Sequence, residues 1–174
     1  MTALLFLLVS LLTAAGPANA RENGLDVTCT PPSSAVSTYS PALTNTPQLA
    51  SSTFSFQLGP CVSPSEPSLT AGSFARSTPP RLRSCLDLLD SGSGSDTIVW
   101  NTGQTSTISV NRTTTVVGAA LVVTQTGTVT SGLFQGDTVL ITQTGPSIDV
   151  LTCTAGLGTV SSIYSLVTLE FTSV

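Results

Sequence analysis

The residues that could do chemistry in this 174-residue sequence are few, and the residue types that it lacks narrow the choice further. It contains no histidine, and its five basic side chains are all arginine. Without histidine, no Ser-His-Asp or Cys-His nucleophile can form and no imidazole can bind zinc or copper. Without lysine, no Schiff base can form. We therefore expect a protein that is not an enzyme and that carries no cofactor.

Four cysteines are the most reactive side chains that remain. They are Cys29, Cys61, Cys85 and Cys153. An even number without Cys-x-x-Cys spacing predicts two disulfides, for which three pairings exist. If the segments that flank residues 39–51 pair antiparallel with Thr38 opposite Ser52, Cys29 falls opposite Cys61. This register favours Cys29–Cys61 and Cys85–Cys153.

Three carboxylates, Asp87, Asp90 and Asp96, flank the Gly/Ser tract at 91–95. Carboxylate oxygens are calcium ligands, but this spacing matches no calcium loop and such tracts are usually connectors. Pairs of carboxylates also hydrolyse glycosides. The nine carboxylates of this chain are scattered through turn-rich segments, so we predict no metal site and rank a carboxylate hydrolase last.

Trp100 and Tyr39 are the candidate ligand contacts, because exposed aromatic rings stack on sugars. Trp100 is the only tryptophan and shares a strand face with Ile98, which favours a place in the core. A carbohydrate-binding module is therefore an alternative function rather than the first choice.

Residues 1–20 have the pattern of a secretory signal peptide. An uncharged apolar run at 3–15 is followed by Gly16-Pro17 and by the small residues of Ala18-Asn19-Ala20. The run is shorter than the roughly 20 residues that span a bilayer. We expect cleavage there, no membrane span afterwards, and a secreted single domain at 21–174. A net charge of −4 argues against nucleic-acid binding.

The elements that must position these residues are predicted to be strands, because short β-rich runs alternate with turn residues and no apolar helical stripe is sustained. The predicted strands are 27–38, 53–58, 68–75, 81–85, 96–100, 105–110, 116–129, 138–143 and 161–171, with a helical turn at 86–90. Eight or nine antiparallel strands favour an all-β, immunoglobulin-like sandwich of two sheets with Greek-key connections. A small β-barrel is the alternative.

Several short motifs resemble those of a family of small secreted actinobacterial proteins, mostly of unknown function. They lie at 39–47, 58–63, 69–72, 97–106 and 127–137. The resemblance implies an extracellular immunoglobulin-like β-sandwich, and it supplies no catalytic residues.

Together these observations predict a secreted, non-catalytic binding or structural module. Its expected partner is an extracellular protein or a component of the cell envelope, because sheet edges can accept a partner strand and aromatic residues for sugars are few. An adaptor subunit of a secreted antibacterial complex is a narrower form of the same hypothesis.

Overall fold

The computed structural model describes residues 24–174, so the predicted signal peptide lies outside the described residues. The ten strands are β1 Leu25–Cys29, β2 Ser34–Leu43, β3 Gln48–Leu58, β4 Cys61–Val62, β5 Gly72–Arg83, β6 Gly92–Trp100, β7 Thr105–Val117, β8 Ala120–Gly132, β9 Thr138–Pro146 and β10 Val160–Thr172. A 3₁₀ turn, Leu86–Leu89, joins β5 to β6, and a helix, α1 Ile148–Thr154, joins β9 to β10.

The sheet closes on itself. Strands β2, β3, β5, β6, β7, β8, β9 and β10 pair antiparallel in that order, and β10 also pairs with β2. The result is an eight-stranded antiparallel barrel. Strands β1 and β4 lie outside this ring, where β1 pairs with the end of β10 and β4 pairs with β1.

The all-β prediction is confirmed, but the preferred two-sheet sandwich gives way to the small barrel that was its alternative. Both folds place apolar residues at alternate strand positions, so the residue pattern does not separate them. The deciding feature is the β10–β2 ladder, in which Tyr164 lies opposite Val36. Each barrel strand pairs with the barrel strand before it, which makes the barrel an up-and-down meander rather than a Greek key.

Several predicted boundaries were wrong because turn residues lie inside strands. Strand β2 passes through Pro41 and β5 passes through Pro79 and Pro80. Proline is tolerated where a strand bulges or lacks a partner on one side, and β5 bulges at these two prolines opposite Ser51. Most of the Gly/Ser tract, predicted to be a loop, is the first part of β6.

Two further elements differ from the prediction. The segment 116–129 is not one strand, because Gly118 and Ala119 form a turn between β7 and β8. Helix α1 was not predicted, since its seven residues are too few to show a helical repeat. The helical turn after Cys85 is present as the 3₁₀ turn.

Both disulfides have the favoured pairing, Cys29–Cys61 and Cys85–Cys153. Cys29 lies opposite Cys61 in the β1–β4 ladder, as expected. However, Thr38 lies opposite Thr53 rather than Ser52. The register therefore shifts by one residue between the two ladders, across Pro31-Pro32 and Gly59-Pro60.

The core consists of two clusters. The larger fills one end of the barrel and contains an aromatic plug, formed by Trp100, Phe134 and Phe171, whose rings meet edge to face at centroid distances of 5.9–6.3 Å. The smaller cluster lies at the other end, where Leu43 and Leu121 of the barrel pack with Val150 of α1.

Candidate functional site

The barrel wall is nearly open between β5 and β6. These strands pair only at Gly72–Trp100 and Ser73–Val99. Beyond that point β5 pairs with β3 alone and β6 pairs with β7 alone. We call the gap between residues 74–83 and 92–98 the open seam.

The paired end of the seam is held by tight packing and by hydrogen bonds to one side chain. Gly72 allows the ring of Trp100 to lie against the β5 backbone, because a Cβ there would be 2.6 Å from the indole. The Asn101 side chain accepts hydrogen bonds from the backbone N–H groups of Thr70 and Ala71, at 2.9 and 3.1 Å. The two strands are thus fixed together at one end and separate toward the other.

A cavity of about 480 Å³ lies inside the barrel behind the open seam. Its apolar wall comes from both core clusters, with Phe56, Phe74 and Val110 on one side and Tyr39, Leu43 and Leu121 on the other. This volume lies within the range of small-molecule sites, which are typically apolar pockets with a few converging polar groups.

Arginine supplies all the positive charge of the cavity lining. Every arginine of residues 24–174 lines it, namely Arg76, Arg81, Arg83 and Arg112. Three carboxylates, Asp87, Asp90 and Asp96, also line it. The lining therefore carries a formal charge of +1, from four guanidinium groups and three carboxylates, although the whole chain carries −4.

One ion pair crosses the open seam. Arg76 Nη1 of β5 lies 3.2 Å from Asp96 Oδ1 of β6. Arg76 also lies over the ring of Phe54, with the guanidinium carbon 5.3 Å from the ring centroid. Burial raises the pKa of Asp96, and the opposing attraction of Arg76 is the smaller effect. The ion pair thus links the two strands through side chains where the backbone ladder is missing.

Arg83 and Arg112 are the cations that lie deepest in the lining. Arg83 is only 7% exposed, and its Nη2 donates to Thr78 Oγ1 at 2.9 Å. The buried Nε of each of these arginines has no hydrogen-bond partner within the described part of the chain. Burial lowers the pKa of Arg83, and the neighbouring positive charges of Arg81 and Arg112 lower it further.

Two of the three lining carboxylates bond to other groups, and Asp87 also attracts Arg83 electrostatically. Asp87 accepts hydrogen bonds from the backbone and hydroxyl of Ser84, and Asp96 is paired with Arg76. The arrangement is therefore a recess with a formal charge of +1 whose lining combines charged, polar and apolar side chains. Such a recess can hold a ligand.

The two candidate aromatic contacts have different places. Trp100 is 2% exposed and donates from Nε1 to Ser106 Oγ at 2.8 Å, away from the cavity lining. Tyr39 lines the cavity, and burial raises the pKa of its hydroxyl. The carbohydrate-binding alternative needs an exposed aromatic face, and both side chains are buried.

Sequence reasoning missed the four arginines as a group. Three of them fall within the eight positions 76–83, and Arg81 and Arg83 have the i, i+2 spacing of one strand face. That spacing was a usable sign of a basic face. The contribution of Arg112 depends on barrel closure, so no local pattern could have included it.

Comparisons with protein families, with characterised proteins and with solved structures find no match to this chain. Among residues 24–174, no group of three or more His, Cys, Asp or Glu side chains is placed to hold a metal ion. In that same part of the chain, no helix is long and apolar enough to cross a membrane.

Proposed function

We propose that this protein is an extracellular, non-catalytic binding module whose ligand is a small molecule held inside the barrel. The observation that carries the proposal is the cavity of about 480 Å³ behind the open seam. It combines apolar side chains with two guanidinium groups whose buried Nε atoms have no hydrogen-bond partner among the described residues, a combination typical of a binding site rather than of a packed core. An extracellular location is supported by the two disulfides, which persist in oxidising compartments.

A neutral fluorescent probe, N-phenyl-1-naphthylamine, tests whether the lumen accepts a ligand. Val123 of β8 lines the cavity, whereas the adjacent Val122 does not. Successive strand residues point to opposite faces, so Val123→Trp fills the lumen and Val122→Trp adds the same bulk outside. We expect the probe to fluoresce with the unchanged protein and with Val122→Trp, and to lose at least tenfold in affinity with Val123→Trp.

The reverse pattern would place the probe on the outer surface of the barrel and remove the support for a lumen site. Equal binding by all three proteins would do the same. Circular dichroism of each variant shows whether the barrel has kept its fold, and Val123→Leu provides a smaller increase in volume for the same position.

A second candidate, a protein partner, is favoured by the free strand edges at the open seam. Residues 92–98 of β6 have no backbone partner on the β5 side. An extended segment of an extracellular protein could add a strand there, as in β-augmentation. The Arg76–Asp96 ion pair spans this gap, so strand addition requires its opening. Crosslinking from Ser95→Cys to a co-secreted protein would support this candidate.

A further inference from the structure

We infer that the ligand of the cavity is a monocarboxylate with an apolar body, held by Arg83 and Arg112. This inference rests on the proposed lumen site and specifies the chemical class of its ligand. It follows from the position of the positive charge, from the charge balance of the lining and from the nature of the remaining wall.

The first argument is the separation of charge in the molecule. Residues 24–174 contain eight carboxylates and four arginines, and the four arginines converge on one cavity of an acidic protein. Buried polar groups are almost always hydrogen-bonded, and a buried cation without a counter-ion is costly. A carboxylate would supply both a negative charge and two acceptor oxygens for guanidinium N–H groups.

The second argument concerns the charge of the ligand. The lining has a formal charge of +1, which a carboxylate neutralises. A phosphate monoester carries about −1.5 to −2 near neutral pH and would leave the lining with excess negative charge. The planar fork of arginine also matches the geometry of a carboxylate.

The third argument concerns the body of the ligand. Besides its charged and polar groups, the cavity lining includes Leu43, Leu121, Ile163 and the ring of Tyr39. These side chains offer dispersion contacts and no charge, so they suit a hydrocarbon or aromatic group. A bare anion would leave this wall in contact with water.

The direct test is calorimetry of the purified, disulfide-bonded protein with octanoate, octanamide and acetate. Octanamide keeps the chain without the charge, and acetate keeps the charge without the chain. We expect octanoate to bind at least tenfold more tightly than either. Arg83→Met and Arg112→Met should each remove most of the preference for octanoate over octanamide, while octanamide binding changes little.

Thr126→Glu is the matched control, because it lowers the net charge by the same unit on an exposed position of β8 outside the cavity. It should leave the octanoate preference intact. If octanoate and octanamide bind equally, or if octanoate does not bind, the carboxylate inference is wrong. Inorganic phosphate competing as well as octanoate would also overturn it.

The outcome separates the two levels of the proposal. Octanamide binding that Val123→Trp blocks and that matches octanoate binding would retain the lumen site and reject the anion. Octanoate binding that Val123→Trp does not affect would reject the lumen site itself, even if the anion were preferred.

Discussion

The two ends of the β5–β6 boundary differ in almost every physical respect. At the Gly72 end, two residue pairs of backbone ladder and the hydrogen bonds to the Asn101 side chain join the strands, and Trp100 packs in the aromatic plug. At the Arg83 end, the strands have separated and a charged cavity lies between the core clusters. One boundary can therefore supply stability at one end and a binding site at the other, since binding sites commonly forgo optimal packing.

Removal of the disulfides should have the largest effect, and it tests whether stability and binding belong to different ends of this boundary. In the chain-entropy model, bonds with sequence separations of 32 and 68 residues each stabilise the fold by about 4 kcal/mol. We expect Cys29→Ala/Cys61→Ala and Cys85→Ala/Cys153→Ala to lose similar unfolding free energies in urea. Only the second pair should weaken probe binding, because it links α1 to the turn that adjoins the cavity.

Equal loss of probe binding in both double variants would contradict the assignment of stability and binding to different ends of the boundary. Probe binding must be measured at a urea concentration at which both double variants remain folded, and circular dichroism verifies that they do.

Glycine substitutions compare the two ends of the boundary directly. Gly72→Ala would place a methyl group 2.6 Å from the Trp100 ring, and overpacking of this kind costs about 1–3 kcal/mol. At Gly94 the nearest atom is the flexible end of Arg76, at 3.2 Å. We expect Gly94→Ala to change the unfolding free energy by less than about 0.5 kcal/mol. Similar losses at both positions would show that the seam is packed throughout.

The core position of Trp100 at one end of this boundary could be predicted from the sequence, whereas the open seam at the other end could not. Trp100 sharing a face with Ile98 indicated a core residue, because alternation is a local property of a strand. The open seam was hidden because Pro79 and Pro80 suggest a break, whereas here they lie within a strand that bulges and has one partner. Cavity formation depends on the β10–β2 closure, which brings Arg112 and Arg83 to one lumen although they are distant in sequence.

The same distinction applies to the disulfides. Cys29–Cys61 was predictable from an antiparallel register, yet the register assumed for Thr38 was one residue off. The shift occurs across non-strand residues that no alternation constrains. The face of a strand on which a residue lies was predictable from alternation, whereas the register across the connecting residues was not.

Removing a cavity cation should have a smaller effect on stability than either change above. Arg83→Met replaces a buried guanidinium that has no ion-pair partner among the described residues. Burial of an unpaired charge is costly, so we expect the unfolding free energy to stay within about 1 kcal/mol or to rise. A loss above about 2 kcal/mol in urea denaturation would make Arg83 a structural residue.

The pH dependence of the Arg76–Asp96 ion pair should give the smallest effect. Burial raises the pKa of Asp96 in the folded protein. Because the folded state then binds the proton more tightly, this group adds stability as the pH falls through its folded pKa, and that stability is lost as the pH rises again. The unfolding free energy of the unchanged protein, relative to that of Asp96→Asn, should therefore rise as the pH falls.

The control for this prediction is Asp149→Asn, on an exposed position of α1. If the unchanged protein instead loses stability relative to Asp96→Asn as the pH falls, Arg76 rather than burial dominates the titration of Asp96.

We propose that the lumen behind the open seam binds a ligand with an anionic head and an apolar body. The most direct measurement is a crystal structure with 8-bromooctanoate, in which anomalous scattering locates the bromine. We predict the bromine inside the barrel near Leu43, Leu121 and Ile163, with the carboxylate at Arg83 and Arg112. Bromine found only on the outer surface, or in the lumen with the carboxylate away from both arginines, would contradict the account.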